Sequence, residues 1–322
     1  MAVTLVTGGA GYVGSALVPD LLATGRKVRV LDCLRSGGEG LLGVWSRPGF
    51  EFVRGDVTSA ADRRAALRGV ESIVHLAAIV GDPACKQEPD LARAVNLDST
   101  CRLIDEAMAA GVRDFVFVST CSNYGISDAE QLATEDSPLN PVSLYAETKV
   151  GVERYLLERA REEFIPTVLR LATVYGVSPR MRFDLTVNEF ARDAALGKKL
   201  VIYGEHYWRP YVHVRDVAKA IHLVLESPAR VRRGQVFNVG HTDENYQKLT
   251  LSRLLQERAP DLQVEFVKAG PDPRSYRVGF EKIARALSFQ PSFRVPDGLD
   301  EVIALVRAGI IGKLDDPRWG NT

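Results

Sequence analysis

The sequence lacks three features that would direct it to a nucleic acid, a membrane or a secretory route. Its 322 residues include 41 basic and 41 acidic side chains, so no excess charge attracts nucleic acid or an anionic bilayer. No apolar run approaches the roughly 20 residues of a membrane-spanning helix. No signal-peptide pattern precedes the first predicted strand. We therefore predict a cytoplasmic protein that binds neither nucleic acid nor membrane.

Cysteine and histidine are also scarce. The four cysteines are Cys33, Cys85, Cys101 and Cys121. Their spacing forms no disulfide framework and no zinc motif, which suits a reducing cytosol. Of the five histidines, His75 and His213 lie at apolar positions, where buried structural residues are more usual than catalysts. We predict no metal site.

Short apolar runs alternate with helical patterns through the first half of the chain. The runs VTLVTG, KVRVLD and DFVFVST predict strands buried on both faces. Helices are predicted between them, for example over residues 12–23 and 90–110. Such βαβ units wind into a doubly wound parallel sheet, so we predict an α/β fold of Rossmann type.

The alternation weakens after Gly176, where helices near 184–196 and 214–226 and the proline-rich PDPRSYR suggest a smaller lobe. This lobe is expected over the carboxyl ends of the strands, where open α/β sheets bind ligands. The predicted division is a Rossmann domain over 1–176, joined by 210–240, and a substrate-binding lobe over 177–209 and 241–322. The last residues, DDPRWGNT, are predicted to form a loose tail.

A glycine-rich turn separates the first predicted strand from the first helix. In VTGGAGYVG, Gly8, Gly11 and Gly14 have the spacing GxxGxxG. Glycines permit a tight turn and close approach to a pyrophosphate, and the helix N-terminus supplies NH donors. Asp32, at the end of the second strand, can bond an adenosine ribose and would repel a 2′-phosphate. We predict NAD as the cofactor, and Arg35 nearby leaves NADP as an alternative.

A second acid, Asp56 in RGDV, ends the third predicted strand. It is placed to reach the adenine of the cofactor, or alternatively to cap the following helix. Both interpretations stay open.

Tyr145 and Lys149, in YAETK, lie one helical turn apart on one face. Thr120 ends the strand DFVFVST, and the three would converge on the nicotinamide end of the cofactor. We predict that Tyr145 transfers the proton of a substrate hydroxyl or carbonyl while hydride passes to or from NAD. Lys149 is expected to hold the nicotinamide ribose and lower the pKa of Tyr145 by its charge. Thr120 is expected to donate a hydrogen bond to the reacting oxygen.

Several motifs together resemble one family in order and spacing: TGGAGYVG, RGDV, HLAA, STCSNYG, YAETK and RPYVHVRDVAKAI. The family is the extended short-chain dehydrogenase/reductases, in particular the NAD-dependent nucleotide-sugar epimerases and dehydratases. The resemblance covers nearly the whole chain. It implies a Rossmann domain with a substrate lobe, tightly held NAD and a nucleotide-diphosphate-sugar substrate. It also implies a homodimer formed through the helices near 90–110 and 145–163.

The resemblance implies roles for individual residues. The implied catalytic residues are Thr120, Tyr145 and Lys149. The implied cofactor-binding residues are Gly8, Gly11, Tyr12, Val13, Gly14, Asp32, Asp56, Val57, Ala77, Ala78, Tyr145 and Lys149. The implied substrate-binding residues are Asp82, Ser122, Thr173, Arg209, Tyr211 and Arg274. Arg209 and Arg274 match arginines that clamp the substrate diphosphate, which suits the bidentate geometry of guanidinium.

The chain departs from the family pattern next to Thr120. The 4,6-dehydratases have an Asp-Glu pair there, whereas this chain has Cys121 and Ser122. A simple C4 epimerase needs no second acid or base, so this reaction is favoured. The Cys121 thiol could instead serve as acid or base at C3 or C5, or pack as a small apolar residue. Thr173 also stands where many members have asparagine.

Alternative functions therefore stay open. A nucleotide-sugar ketoreductase, a dehydratase or a C3/C5 epimerase would use the same cofactor site. A non-catalytic NAD-binding scaffold is a further alternative, although it would have little need of the Thr120, Tyr145 and Lys149 set.

Overall fold

A computed structural model describes residues 3–126, 131–267 and 274–321. The strands are β1 (Val3–Thr7), β2 (Lys27–Asp32), β3 (Phe50–Arg54), β4 (Val70–His75), β5 (Asp114–Thr120), β6 (Leu132–Ala133), β7 (Ile165–Leu171), β8 (Thr173–Tyr175), β9 (Leu200–Tyr203), β10 (Trp208–His213), β11 (Gln235–Val239), β12 (Asn245–Gln247), β13 (Val264–Val267) and β14 (Arg277–Val278). The α-helices are α1 (Tyr12–Ala23), α2 (Ala60–Ala66), α3 (Asp82–Gln87), α4 (Pro89–Arg93), α5 (Ser99–Ala109), α6 (Leu144–Leu157), α7 (Thr186–Ala195), α8 (Val214–Glu226), α9 (Ala229–Arg232), α10 (Lys248–Gln256), α11 (Glu281–Leu287) and α12 (Val295–Arg307). None of these helices is long and apolar enough to cross a membrane.

Seven strands form the central sheet in the order β3-β2-β1-β4-β5-β7-β11. Every neighbouring pair is parallel. The strand order reverses between β1 and β4, so the connections leave the sheet on opposite sides and a crevice opens at the carboxyl ends. The predicted doubly wound α/β fold of Rossmann type is confirmed.

Both faces of this sheet are buried, as the continuous apolar runs predict. All seven residues of β7 are buried. Neighbouring strands contribute side chains in register to opposite faces: Leu5, Ile73 and Phe115 pack in one core, and Val6, Val74 and Val116 pack in the other. Because both faces of the sheet are covered, ligands can reach it only at the ends of its strands.

The second half of the chain builds a smaller lobe and also returns to the central sheet. The strands β12, β10 and β8 form a three-stranded sheet, and β13 pairs with β9. The helices α7 and α12 pack together over an apolar core. Strand β11 joins the central sheet beside β7, and α8 packs on α1. This is consistent with the expected return of residues 210–240, although the domain boundaries themselves stay a prediction.

The C-terminal segment, residues 317–321, is not a loose tail. The backbone oxygen of Trp319 accepts a hydrogen bond from Phe183 N at 2.8 Å. Arg180 Nη2 donates to the Gly320 oxygen at 2.9 Å. The indole of Trp319 also packs against the core of the smaller lobe. The prediction was wrong because these partners lie far away in the sequence and leave no local pattern.

Candidate active site

The carboxyl ends of the central strands open into a cavity of about 760 Å³. Most of the residues singled out from the sequence line it. They are Gly8, Gly11, Tyr12, Val13, Gly14, Asp32, Asp56, Val57, Ala77, Ala78, Thr120, Ser122, Tyr145, Lys149, Thr173, Arg209 and Arg274. Three others, Asp82, Cys121 and Tyr211, are not among the lining residues.

The glycine turn at one end of the cavity has no room for side chains. Gly8 has a φ of +72°, and a Cβ there would lie 2.7 Å from Ala77 N. A Cβ on Gly14 would lie 2.5 Å from the Cα of Gly9. The turn therefore requires glycine at these positions, and it lies beside both the cavity and the N-terminus of a helix. Such a backbone allows the close approach of a dinucleotide pyrophosphate.

Asp32 is fixed at the end of β2 by two backbone NH groups. Its carboxylate accepts from Ala10 N at 2.9 Å and from Leu34 N at 2.8 Å. Burial raises the pKa of Asp32, and these NH donors oppose that effect. Arg35, the residue that left NADP open, instead bonds both oxygens of Glu88 at 2.8 Å. This arrangement favours a ribose hydroxyl, and hence NAD, at Asp32.

Asp56 does not cap the following helix. Ser59 is the N-cap of α2, and its side chain accepts from Asp62 N at 3.3 Å. The Asp56 carboxylate accepts from the backbone and side chain of Thr58, both at 2.8 Å. The capping interpretation was therefore wrong, and contact with the adenine stays a prediction.

A buried arginine that we did not identify from the sequence also lines the cavity. Arg180 is 3% exposed, and its Nη2 donates to the Gly320 oxygen and to Asn321 Oδ1. Within the described residues, its Nε has no acceptor. Burial lowers the pKa of Arg180 to about 10, which still leaves it charged at neutral pH. A buried cation with an unused donor fits the anionic pyrophosphate of a dinucleotide. In the sequence, only the two arginines of the segment SPRMR could have indicated an anion-binding residue here.

Tyr145 and Lys149 occupy successive turns of α6. The helix starts after Ser143, whose side chain accepts from Ala146 N at 3.3 Å. Lys149 Nζ donates to the Val118 oxygen at 2.9 Å and lies 5.8 Å from the centre of the Tyr145 ring. Burial lowers the pKa of Lys149 to about 8. The strand end and the helix thus hold the ammonium group close to the phenol.

The expected lowering of the Tyr145 pKa is wrong for the protein itself. Burial raises the pKa of Tyr145 above its ordinary value, and the nearby thiol of Cys85 acts in the same direction. The cations Arg182 and Arg274 oppose this only in part. Desolvation of the phenolate outweighs the charges around it, so the phenol is held protonated at neutral pH.

Thr120 ends β5 at the cavity wall. Its Oγ1 accepts from Ser122 N at 3.0 Å, which caps the short 3-10 turn over Cys121–Tyr124. The hydroxyl keeps its own proton for donation. Ser122 Oγ lies 3.4 Å from the phenol oxygen of Tyr276, a cavity residue that the sequence interpretation missed.

Cys121 faces away from the cavity. It is fully buried, and its thiol donates to the Arg170 oxygen at 3.3 Å. Burial raises the pKa of this thiol well above its ordinary value. The tentative acid–base role of Cys121 therefore does not fit, and the alternative of a small buried residue does.

We expect Cys121→Ala to retain wild-type turnover, because the thiol does not reach the cavity. Steady-state kinetics with an accepted substrate would measure this, with Cys101→Ala as the matched loss of a thiol from α5. A fall of about 10²-fold in kcat for Cys121→Ala alone, the size expected of a lost general acid or base, would restore the catalytic role.

The two arginines of the expected diphosphate clamp lie together on the side of the smaller lobe. Arg209 Nη1 donates to the backbone oxygens of Trp208 and Arg274. Arg274 Nη2 lies 3.0 Å from Asp82 Oδ2. Asp82 thus pairs with an arginine of the cavity lining without lining the cavity itself, so any effect on substrate would pass through Arg274. Tyr211 is fully buried in the core of the smaller lobe, and the predicted substrate contact does not fit it.

Comparison with known proteins gives one consistent picture. The sequence model of the NAD dependent epimerase/dehydratase family matches residues 4–240. The chain is 33% identical over 312 residues to a UDP-glucose 4-epimerase of Mycolicibacterium smegmatis, covering 94% of this chain and 98% of that protein. It is 32% identical over 311 residues to a dTDP-glucose 4,6-dehydratase of Streptomyces griseus, covering 93% of this chain and 92% of that protein. The structure of Thermus thermophilus UDP-glucose 4-epimerase in complex with NAD superposes with a TM-score of 0.84 at 28% identity, over 96% of this chain and 100% of the other.

Proposed function

This chain belongs to the NAD dependent epimerase/dehydratase family, and we propose that it inverts C4 of a nucleotide-diphosphate sugar. NAD is the cofactor, in line with the family and with the bare glycine turn, the fixed Asp32 and the buried Arg180. The observation that carries the proposal is that Thr120, Tyr145 and Lys149 share one cavity with those cofactor residues and with the two arginines.

The chain's own groups supply the proton chemistry. NAD held by the glycine turn, Asp32 and Arg180 would supply the acceptor for a hydride from the sugar carbon and the donor for its return. The phenolate of Tyr145 would take the proton of the C4 hydroxyl, and the phenol so formed would give it back to the keto oxygen. Because burial raises the pKa of Tyr145, the phenolate is the minor form at neutral pH and the phenol suits the return step. Thr120 Oγ1 donates a hydrogen bond to the same oxygen, and Lys149 Nζ supplies positive charge near the phenol. Arg209 and Arg274 would hold the diphosphate while the sugar turns over.

The carboxylates around the cavity support epimerisation over dehydration. Among the described residues that line it, the carboxylates are those of Asp32, Asp56 and Glu88. Each accepts hydrogen bonds from nearby backbone or side-chain donors. None of these three carboxylates directly follows Thr120 in the sequence. At that position a dehydratase would need an acid and a base to remove the C6 hydroxyl and the C5 proton.

Product analysis in deuterated water would test this proposal. Purified protein would be incubated with UDP-, TDP-, GDP- and CDP-sugars, and the products read by NMR. We expect inversion at C4 without solvent deuterium at C3 or C5. Loss of the C6 hydroxyl with deuterium at C5 would identify a dehydratase, and deuterium at C3 or C5 without that loss would identify a C3/C5 epimerase.

Absorbance at the NADH band separates the remaining alternatives. A ketoreductase would consume external NADH or NADPH in proportion to product, whereas an epimerase would leave it unchanged. A protein that binds NAD but converts no nucleotide sugar would contradict the proposed enzyme and favour a scaffold.

We also propose a cytoplasmic homodimer. The four cysteines are all free thiols, which supports a reducing compartment. The helices α5 and α6 lie side by side, and the resemblance implies that the second copy packs on this pair.

A further inference from the structure

A buried carboxylate lies directly beneath the proposed catalytic residues. Glu153 sits on α6 one turn after Lys149 and two turns after Tyr145, and its side chain is 2% exposed. Its Oε1 accepts from Ser119 Oγ at 2.5 Å and from Asn123 Nδ2 at 2.8 Å. Carboxylates are rarely buried to this degree without a partner or a function.

The partner of this carboxylate is equally buried. Arg170, on β7, has a side chain 5% exposed and bonds Glu153 through Nη2 at 2.7 Å and Nε at 3.1 Å. Its Nη1 also reaches the phenol oxygen of Tyr124 at 3.0 Å. A buried ion pair of this kind often adds little stability, but its hydrogen bonds fix the geometry of the side chains that form it.

The contacts of Glu153 bracket the turn that carries Thr120. Ser119 precedes Thr120 at the end of β5, and Asn123 lies three residues after it in the 3-10 turn. One side chain on α6 therefore fixes both flanks of this turn. Tyr145 is on the same helix as Glu153. The position of the Thr120 hydroxyl relative to Tyr145 therefore depends on the hydrogen bonds that Glu153 accepts from Ser119 and Asn123.

Glu153 is also the nearby carboxylate that acts on Lys149. On its own helix, Lys149 lies one turn from both Tyr145 and Glu153. On β5, the Phe117 ring and the Val118 oxygen contact its ammonium group. From β4 it faces His75, whose pKa burial lowers to about 3, so that ring is neutral. From α3 it faces Cys85, whose thiol pKa burial raises to about 11. Glu153, the carboxylate paired with Arg170, therefore raises the pKa of Lys149 against burial.

We propose that Glu153 is a positioning residue for catalysis: one carboxylate holds the Thr120 turn and sets a negative charge one helical turn from Lys149. It contacts neither substrate nor cofactor itself. The proposal rests on the proposed function of Lys149 beside Tyr145, but its consequences for Lys149 can be measured without turnover.

The test is a direct titration of Lys149 in Glu153→Gln. Competitive acetylation with acetic anhydride across pH, read by peptide mass spectrometry, reports the protonation of this one amine. We expect the pKa of Lys149 to fall by about one unit or more when the carboxylate is neutralised. In turnover assays of the holoenzyme, the alkaline limb of the kcat–pH profile should move to lower pH by the same amount, because the protonated amine is lost earlier as pH rises.

Further variants separate this role from a merely structural one. Glu153→Gln combined with Arg170→Met removes both buried charges and so avoids the unpaired buried cation of the single variant. It should still lower the pKa of Lys149, by less than Glu153→Gln alone. Glu153→Asp keeps the charge but shortens its reach, so kcat should fall without movement of the pH profile. Asp114→Asn is the matched control, since Asp114 pairs with buried Arg232 at 2.8 Å at the other end of β5.

Two results would overturn the proposal. One is an unchanged Lys149 titration in both Glu153→Gln and the double variant. The other is an Asp114→Asn protein whose Lys149 titration and pH profile shift as much as those of Glu153→Gln. Failure of the wild-type protein to convert any nucleotide sugar would refute the proposed function instead, and would leave the acetylation result to decide the role of Glu153.

Discussion

Tyr145→Phe is expected to lower kcat by about 10³-fold, within the range that a single general acid–base group contributes. The ring is kept, so the buried packing around α6 and the cofactor cavity should survive. Only the proton at the reacting oxygen is lost. Product formation by NMR would measure turnover, and the dinucleotide released on denaturation would measure bound NAD, which should stay at the wild-type level.

The matched control for this variant lies on the same helix. Tyr155→Phe removes a phenol that donates to Asp105 at 2.6 Å on the outer side of α6. It should leave turnover unchanged. If Tyr145→Phe kept wild-type turnover, or if both variants lost activity equally, the proposed chemistry would be refuted.

The second large effect is expected from Gly14→Ala. A Cβ at this position would lie 2.5 to 2.7 Å from backbone atoms of Gly8 and Gly9, so the glycine turn has to shift. Overpacking of this kind costs about 1–3 kcal/mol, which corresponds to NAD binding weakened by about 5- to 150-fold if the strain falls on the bound state. Titration calorimetry with NAD would measure the loss.

Gly43→Ala provides the control, because a Cβ there meets nothing within 4 Å. It should bind NAD as the wild type does. Equal NAD affinity in Gly14→Ala and the wild type would contradict the role given to the turn.

The local sequence pattern was sufficient to predict the strands and helices that hold the cofactor-binding and proton-transfer residues. The helices Tyr12–Ala23 and Val214–Glu226 begin and end where their periodicity predicts.

Helix α6 was predicted to run to Glu163 but ends at Leu157. Beyond it, Arg161 and Phe164 exchange backbone hydrogen bonds to turn the chain into β7, and the charged run between them is equally compatible with helix.

Properties that depend on burial could not be predicted in the same way. The spacing of Tyr145 and Lys149 placed both groups on one face of a helix, but it did not reveal that desolvation of the phenol exceeds the effect of nearby charge. Likewise, Cys121 follows a catalytic strand end, yet the 3-10 turn directs its thiol into the core. Sequence position identifies neighbours along the chain, whereas these outcomes depend on neighbours across it.

The C-terminal segment connects the two parts of the molecule next to the cavity. Arg318 pairs with Glu39 at 3.1 Å, and Asn321 N donates to Asp184 at 3.3 Å. Since this segment also lines the cavity, a bound dinucleotide would lie against it and gain contacts from it. We expect slow exchange with the cellular pool of pyridine nucleotides. The oxidant would then be regenerated on the protein in every cycle, and flux through the enzyme would be insensitive to the NADH/NAD ratio of the cell.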